Sequence, residues 1–346
     1  MDVLEEVFAR LDVRDVISMD VVEEVLARLD VRDVLRYKSV CKSWYNLISS
    51  IYFVKAHLKH SYNSNRQYGY LRIRLDANFS KIPHDYEWCS FKTVGSFNGL
   101  VCICSNNGLF LVINPSTREV RNLPMMAYND RRKLCWGFGY DSSTDDYKVV
   151  VGFNGSKHHI RFQVFSLKST KWKIIGDDYY YLTYNTKTND PICGFLHAGA
   201  LHWFMYDTKK NKRVIFSFDL SLEKLKEIPQ PDDPEYVCDN QNILGTFEER
   251  LCIFHDVHAN PRQTWVMEMY DSWQLLPHDY EGHADYSKDY TIGALVFVKS
   301  LVSPYPCGKP NNKKNSKRNR RKNKACFNYR LSLKFYLMLY VILLDE

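Results

Sequence analysis

The spacing of apolar residues changes once along this chain. Between Val21 and Ser50 they fall at helical intervals in three short segments: Val21, Val25 and Leu26; Val34 and Leu35; Val40, Trp44, Leu47 and Ile48. From about residue 67 the period shortens. Short apolar runs now alternate with turn residues, as in Tyr70–Leu75, Leu109–Ile113, Tyr147–Val151 and Val214–Phe218. Strands at such close spacing predict a sandwich, a barrel or a propeller. The polar stretch 59–66, KHSYNSNR, reads as a linker between the two regimes.

A repeat decides among the β architectures. Four segments share one plan: apolar strand, polar turn, short strand ending in an apolar residue. They are Leu111–Pro124, Val164–Ile175, Ser217–Pro229 and Val266–Pro277. Val120, Trp172, Leu225 and Trp273 correspond and are 52, 53 and 48 residues apart, and Leu123, Ile175, Ile228 and Leu276 follow three residues later. Upstream in each unit a glycine opens a second hairpin, at Gly95, Gly137, Gly194 and Gly245. Two hairpins in roughly 50 residues outline a four-stranded propeller blade. Strands at 67–90 and 290–303 can contribute further blades.

The helical start resembles the F-box, the motif that plugs a substrate receptor into a Skp–cullin ubiquitin ligase. The resemblance lies in Val40-Cys-Lys-Ser-Trp44, Leu47-Ile-Ser-Ser50 and Phe53. The first half departs from the family: Met19-Asp20 stands where Leu-Pro is usual, and Asp30 where the second helix usually opens on Pro. Asp is a good N-cap there, with Asp33 placed to imitate a capping box. Some forty residues bury too little apolar surface to be very stable alone, so a docking partner is expected. The resemblance implies a Skp-type adaptor and, through it, a cullin. The expected adaptor contacts are Val25, Leu26, Leu29, Val31, Val34, Leu35, Val40, Cys41, Trp44, Leu47 and Ile48, some of which must also form the helical core. Residues 1–18, MDVLEEVFARLDVRDVIS, duplicate residues 19–36 without the Cys41–Trp44 helix that completes the unit.

The repeats resemble the plant F-box-associated domain. Its recurring phrases match Ser96-Phe-Asn-Gly-Leu100, Asn114-Pro-Ser-Thr117, Gly137-Phe-Gly-Tyr140, Asp145-Asp-Tyr-Lys-Val149 and Phe297-Val-Lys-Ser-Leu-Val302. That resemblance implies a target-binding propeller. Target contacts are expected from loops, with Tyr179, Tyr180 and Tyr181 as the candidate recognition surface and the acidic Pro229–Asn242 loop as a second.

Composition adds three constraints. The net charge of +7 comes from residues 309–324, which hold nine Lys or Arg and no acid; without them 38 basic residues face 40 acidic ones. The body is therefore near neutral, and no specific nucleic-acid surface is inferred on it. The basic run reads as a solvated tail or a localisation signal. The apolar end, Phe335–Leu344, is ten residues, short of the ~20 that span a membrane. Ten cysteines are scattered without a C-x-x-C pair, which suits free thiols in a reducing compartment.

Candidate chemistry is sparse. His158-His159 point to opposite strand faces and cannot chelate together. His197 and His202 flank a turn, Asp145-Asp146 and Asp232-Asp233 read as solvated turn acids, and Trp172, Trp203 and Trp273 as blade packing. No P-loop or G-x-S-x-G elbow is present. A propeller enzyme would need a clustered metal or acid–base set, which the sequence does not offer.

The expected fold is an α+β multidomain chain: a small three-helix F-box, then an all-β propeller-like domain with repeats of about 50 residues. The divisions are 1–18 duplicated helix, 19–58 F-box, 59–66 linker, 67–303 propeller-like domain and 304–346 tail. The expected function is a noncatalytic receptor subunit without a cofactor, in the nucleus, the cytoplasm or both. The alternative is a nuclear or membrane-associated regulator with a degenerate F-box, acting through its basic tail.

Overall fold

The computed structural model describes residues 19–63, 68–72, 91–105, 107–127, 132–155, 160–175, 182–183, 191–238, 242–247, 249–255, 264–269, 272–276, 284–286 and 294–306. The first copy of the duplication, His158-His159, Tyr179–Tyr181 and the tail segments 309–324 and 335–344 lie outside the described residues.

Four helices come first: α1 (Met19–Ala27), α2 (Val31–Tyr37), α3 (Lys42–Ile48) and α4 (Ile51–Asn63). Side-chain caps set their starts. Asp30 accepts the Arg32 N–H at 2.8 Å, Cys41 Sγ accepts the Trp44 N–H at 3.5 Å, and Ser50 Oγ accepts the Phe53 N–H at 3.1 Å. Asp33 closes no box; its carboxylate takes Arg36 Nη1 at 3.0 Å. The fourth helix runs through residues 59–63, into the stretch that reads as a linker. Two of its polar residues, His57 and Ser61, face inward, while Lys59, His60 and Asn63 are exposed. His57 Nε2 donates to the Leu29 carbonyl at 2.9 Å, and Ser61 Oγ donates to the His57 carbonyl at 3.1 Å. Within the polar run, Ser61 supplies the buried position that turns this last stretch of helix toward the core.

The strands form five sheets among the described residues. β1 (Tyr68–Arg72) pairs antiparallel with β21 (Ala294–Val298), so the two outlying strand segments form one sheet together. The first repeat is β2 (Phe91–Phe97), β3 (Leu100–Ser105), β4 (Phe110–Asn114) and β5 (Glu119–Asn122). The second is β6 (Lys133–Asp141), β7 (Asp146–Asn154), β8 (Ile160–Ser166) and β9 (Lys171–Ile175). Two short strands, β10 (Leu182–Thr183) and β11 (Ile192–Cys193), precede the third repeat, β12 (Phe195–His197), β13 (Ala200–Asp207), β14 (Lys212–Asp219) and β15 (Lys224–Ile228). The fourth is β16 (Asn242–Phe247), β17 (Arg250–His255), β18 (Thr264–Met269) and β19 (Ser272–Leu275), with β20 (Ala284–Tyr286) on the free edge of β16. Every expected hairpin is present, two to a sheet.

The core lies between successive sheets. Phe297 packs on Val101, Ile103 and Leu111 of the first repeat; Cys102, Phe110 and Val112 meet Trp136, Phe138 and Val149 of the second. Val150, Phe162 and Val164 meet Trp203, Phe216 and Phe218 of the third, whose Ile215 and Phe204 meet Ile253 and Trp265 of the fourth. The sheets of the four repeats are therefore buried on both faces, as in a propeller. Trp172 Nε1 donates to the Pro124 carbonyl at 2.7 Å and Trp273 Nε1 to the Pro229 carbonyl at 2.8 Å, each reaching the end of the preceding sheet. The outer-strand tryptophans are joints between blades. Cys102 and Cys104 are core residues, and burial pushes both thiols up, Cys104 to about 12.

Lys148 makes a polar joint between sheets two and three. Its ammonium lies 2.5 Å from the Leu220 carbonyl, 3.0 Å from Asp141 Oδ2 and 3.2 Å from Glu223 Oε1. Burial alone would raise the Asp141 pKa. Donation by Ser143, Thr144, Ser221 and Lys148 overcomes that and holds the carboxyl far below its ordinary range. Burial works against the Lys148 charge, but bonds to Asp141 and Glu223 raise its pKa nonetheless.

The propeller has two unlike ends. At one end the connections are short: residues 98–99, 115–118, 142–145, 198–199 and 220–223. Asn98 and Gly99, with φ of 52° and 79°, make a two-residue turn of the I′ kind. At the other end lie the passages from sheet to sheet, 123–132, 176–191 and 229–241.

Candidate functional site: an apolar helical surface

The four helices share a core of Val22, Leu26, Val31, Val34, Ile48 and Phe53. The structure partitions the eleven expected adaptor contacts. Leu26, Val31, Val34 and Ile48 are buried in that core; Leu29, Leu35, Trp44 and Leu47 are half-buried against it; Val25, Val40 and Cys41 are exposed. Trp44 meets Tyr37 edge to face, with ring centroids 5.6 Å apart. The exposed surface has further members absent from the expected set: Met19, Val21, Tyr45, Ile51 and Tyr52. Their signal was available in part. Val21 and Val25 form an i,i+4 stripe on α1, beside the buried pair Val22 and Leu26. Tyr45 and Tyr52 carry no such pattern.

The density of this surface is unusual for the molecule. Twelve large hydrophobic residues are exposed among the described residues, and eight belong to residues 19–63; Met125, Ile174, Leu222 and Val237 are the four on the rest. Tyr62 is one of the eight, but its hydroxyl donates to Asn98 Oδ1 at 2.9 Å. The other seven are large apolar side chains left exposed on or beside α1, α3 and α4.

The helices are anchored to the short-turn end of the propeller. Lys55 pairs with Asp145 at 3.0 Å, and the Tyr140 hydroxyl donates to the same carboxylate at 2.5 Å. Asp145 and Asp146 therefore depart from the reading as solvated turn acids. Asp145 joins helix to sheet, and Asp146 is buried, accepting Ser166 Oγ at 2.5 Å. The segment 297–306 ties the two regions together. Leu301 enters the helical core, Lys299 approaches Asp30 at 3.5 Å, and Ser300 Oγ donates to the Asn98 carbonyl at 2.8 Å. A Cβ on Gly99 would lie 2.1 Å from Ser300 Oγ, so only glycine lets the segment pass. Asn114 Nδ2 donates to the Ser300 and Val302 carbonyls at 2.9 and 2.7 Å, while its Oδ1 caps the Ser116 and Thr117 N–H groups. Arg121 reaches the Leu167 and Pro304 carbonyls, both at 2.8 Å.

Residues 49–289 match the family model for the F-box associated beta propeller domain, well over half the chain. The chain belongs to that family. The F-box domain model matches residues 17–55. Among curated relatives, F-box protein At4g22390 of Arabidopsis thaliana is 25% identical over 75% of this chain and 71% of its own length. F-box protein CPR1 is 28% identical over 79% and 71%, and F-box/kelch-repeat protein At3g23880 is 28% identical over 80% and 78%, both from the same plant. Likeness to solved structures is weak: TolB from Acinetobacter baumannii aligns at a TM-score of 0.34 with 9% identity, over 66% of this chain and 59% of that one. In this F-box protein the F-box match covers those seven exposed apolar residues, and the propeller-domain match begins inside it, just ahead of α4.

Two buried histidines of this F-box protein have structural settings. His57 lies on the inner face of α4, where burial lowers its pKa against the pull of the Leu29 carbonyl. His202 is buried in sheet three and lowered to about 4, first by burial and then by the nearby His197. Among the described residues no group of three or more His, Cys, Asp or Glu is placed to hold a metal, and no helix is long and apolar enough to cross a membrane.

Proposed function

We propose that this F-box protein is the noncatalytic target-recognition subunit of a Skp–cullin–F-box ubiquitin ligase. The seven large apolar side chains exposed at residues 19–52 carry the reading: a folded unit leaves such residues uncovered when another subunit covers them. A Skp-type adaptor is the occupant, and a cullin joins through the adaptor. The propeller holds the target at the end away from the helices, where the longer connections lie. Ubiquitin transfer is then driven by proximity, since the assembly raises the effective concentration of a target lysine beside the charged conjugating enzyme. The seven described free cysteines suit work in the nucleus, the cytoplasm or both.

The test separates face from core. Val25→Glu with Val40→Glu places charge on exposed positions, and adaptor co-purification should fall at least tenfold while the melting midpoint stays put. Leu26→Glu charges a buried position and should unfold the helices outright. Adaptor capture that survives the exposed double variant sinks the reading.

A further inference from the structure

A groove of about 1010 Å³ opens at the far end of sheet three. One wall is the tip of the β13–β14 hairpin, around Tyr206–Arg213; the other is the Pro229–Cys238 passage that leaves β15. The walls are pinned to each other. Gln230 Nε2 donates to the Arg213 carbonyl at 2.6 Å, and the Tyr236 hydroxyl donates to Gln230 Oε1 at 2.9 Å. The Tyr236 ring stands edge-on to Trp265 at 5.7 Å, and the Arg213 guanidinium lies 4.5 Å over Phe204. A guest therefore meets a preformed site and avoids the ordering cost of building one.

Charge is divided between the walls. From the hairpin Lys210, Lys212 and Arg213 line the groove; from the facing passage Asp232 lines it, with Asp233 and Glu235 beside it in the chain. Lys210 is paired with Glu227 of β15. Pro229, Pro231 and Pro234 remove backbone donors from the acidic wall, so a guest cannot add to it as a paired strand. Recognition then falls to side chains. A phosphate backbone would meet carboxylates along one wall. An extended peptide points successive side chains to opposite sides, so alternating acids and bases satisfy both walls at once.

We propose that this groove binds an extended segment of the target in which acidic and basic residues alternate, with Tyr206 and Tyr236 as its apolar contacts. The assignment rests on the receptor reading, and its test is separable from it. A displayed library of random twelve-residue peptides is selected on the full chain bound to its adaptor. Enriched peptides should alternate acid and base, and Lys212→Glu and Asp232→Lys, both at exposed positions, should each weaken them fivefold or more with adaptor binding and melting unchanged. The proposal is overturned if nothing is enriched, if the peptides carry one sign of charge, if both variants bind them as before, or if single-stranded oligonucleotide displaces them. Failure of the unaltered chain to hold an adaptor counts against the receptor reading alone.

Discussion

Gln163 breaks a rule that its counterparts keep. Taken from the aligned outer-strand positions Val120, Trp172, Leu225 and Trp273, the register makes Leu111, Gln163, Phe216 and Trp265 equivalent. Each of the other three packs on the preceding sheet. Gln163 is fully buried and neither its amide oxygen nor its nitrogen has a hydrogen bond among the described residues. An unsatisfied buried polar group costs about 1–3 kcal/mol. Gln163→Leu should therefore raise unfolding free energy by about that amount, seen as a higher urea midpoint at constant slope. His202 gives a second residue-level expectation. Its folded pKa of about 4 lies below the ordinary 6.5, so the unfolded chain binds the proton more readily. Stability should be full above pH 6.5 and decline as pH falls toward 4, by about 1.4 kcal/mol per unit of pKa difference at most. His202→Gln should flatten the melting-point profile across that window. Single residues were legible in the sequence where their chemistry is local: Asp30 caps its own helix. Asp145 was not, because its partner Lys55 lies on an element far away in the chain.

Elements follow the same division. The hairpins could be read because each repeat restates the pattern, and Asn98-Gly99 is a strong turn signal by itself. The length of α4 could not, because the exposed polar side chains of 59–63 read the same on a helix as on a solvated linker, and only Ser61 faces in. Joints between sheets were also hidden. A lysine at position 148 reads as an exposed strand residue, yet it is buried against Asp141 and Glu223. Removing one partner of a buried ion pair strands the other charge and typically costs about 3–5 kcal/mol. Lys148→Ala should lower stability by that order in calorimetry, whereas Glu223→Gln, which leaves Asp141 in place, should cost much less. Equal losses from the two variants would mean that the joint is not where the charge is stabilised.

At the scale of the whole molecule, the helices and the propeller share residues 297–306. The sequence showed the phrase Phe297–Val302 without its purpose, since nothing local reveals that a strand exit completes a helical core. Leu301→Ala should cost about 2–5 kcal/mol, the usual penalty for emptying a buried leucine site. Hydrogen exchange can locate the loss: amides of α1–α4 should exchange faster, and those of sheets three and four should not. Uniform acceleration would mean that the segment serves the propeller alone. The order of synthesis gives this shared segment a second meaning. A ribosome has made all four helices before it reaches Leu301, so a product that stops early carries its exposed apolar residues on an unfinished core. Only a chain translated past the last strand has a completed helical core.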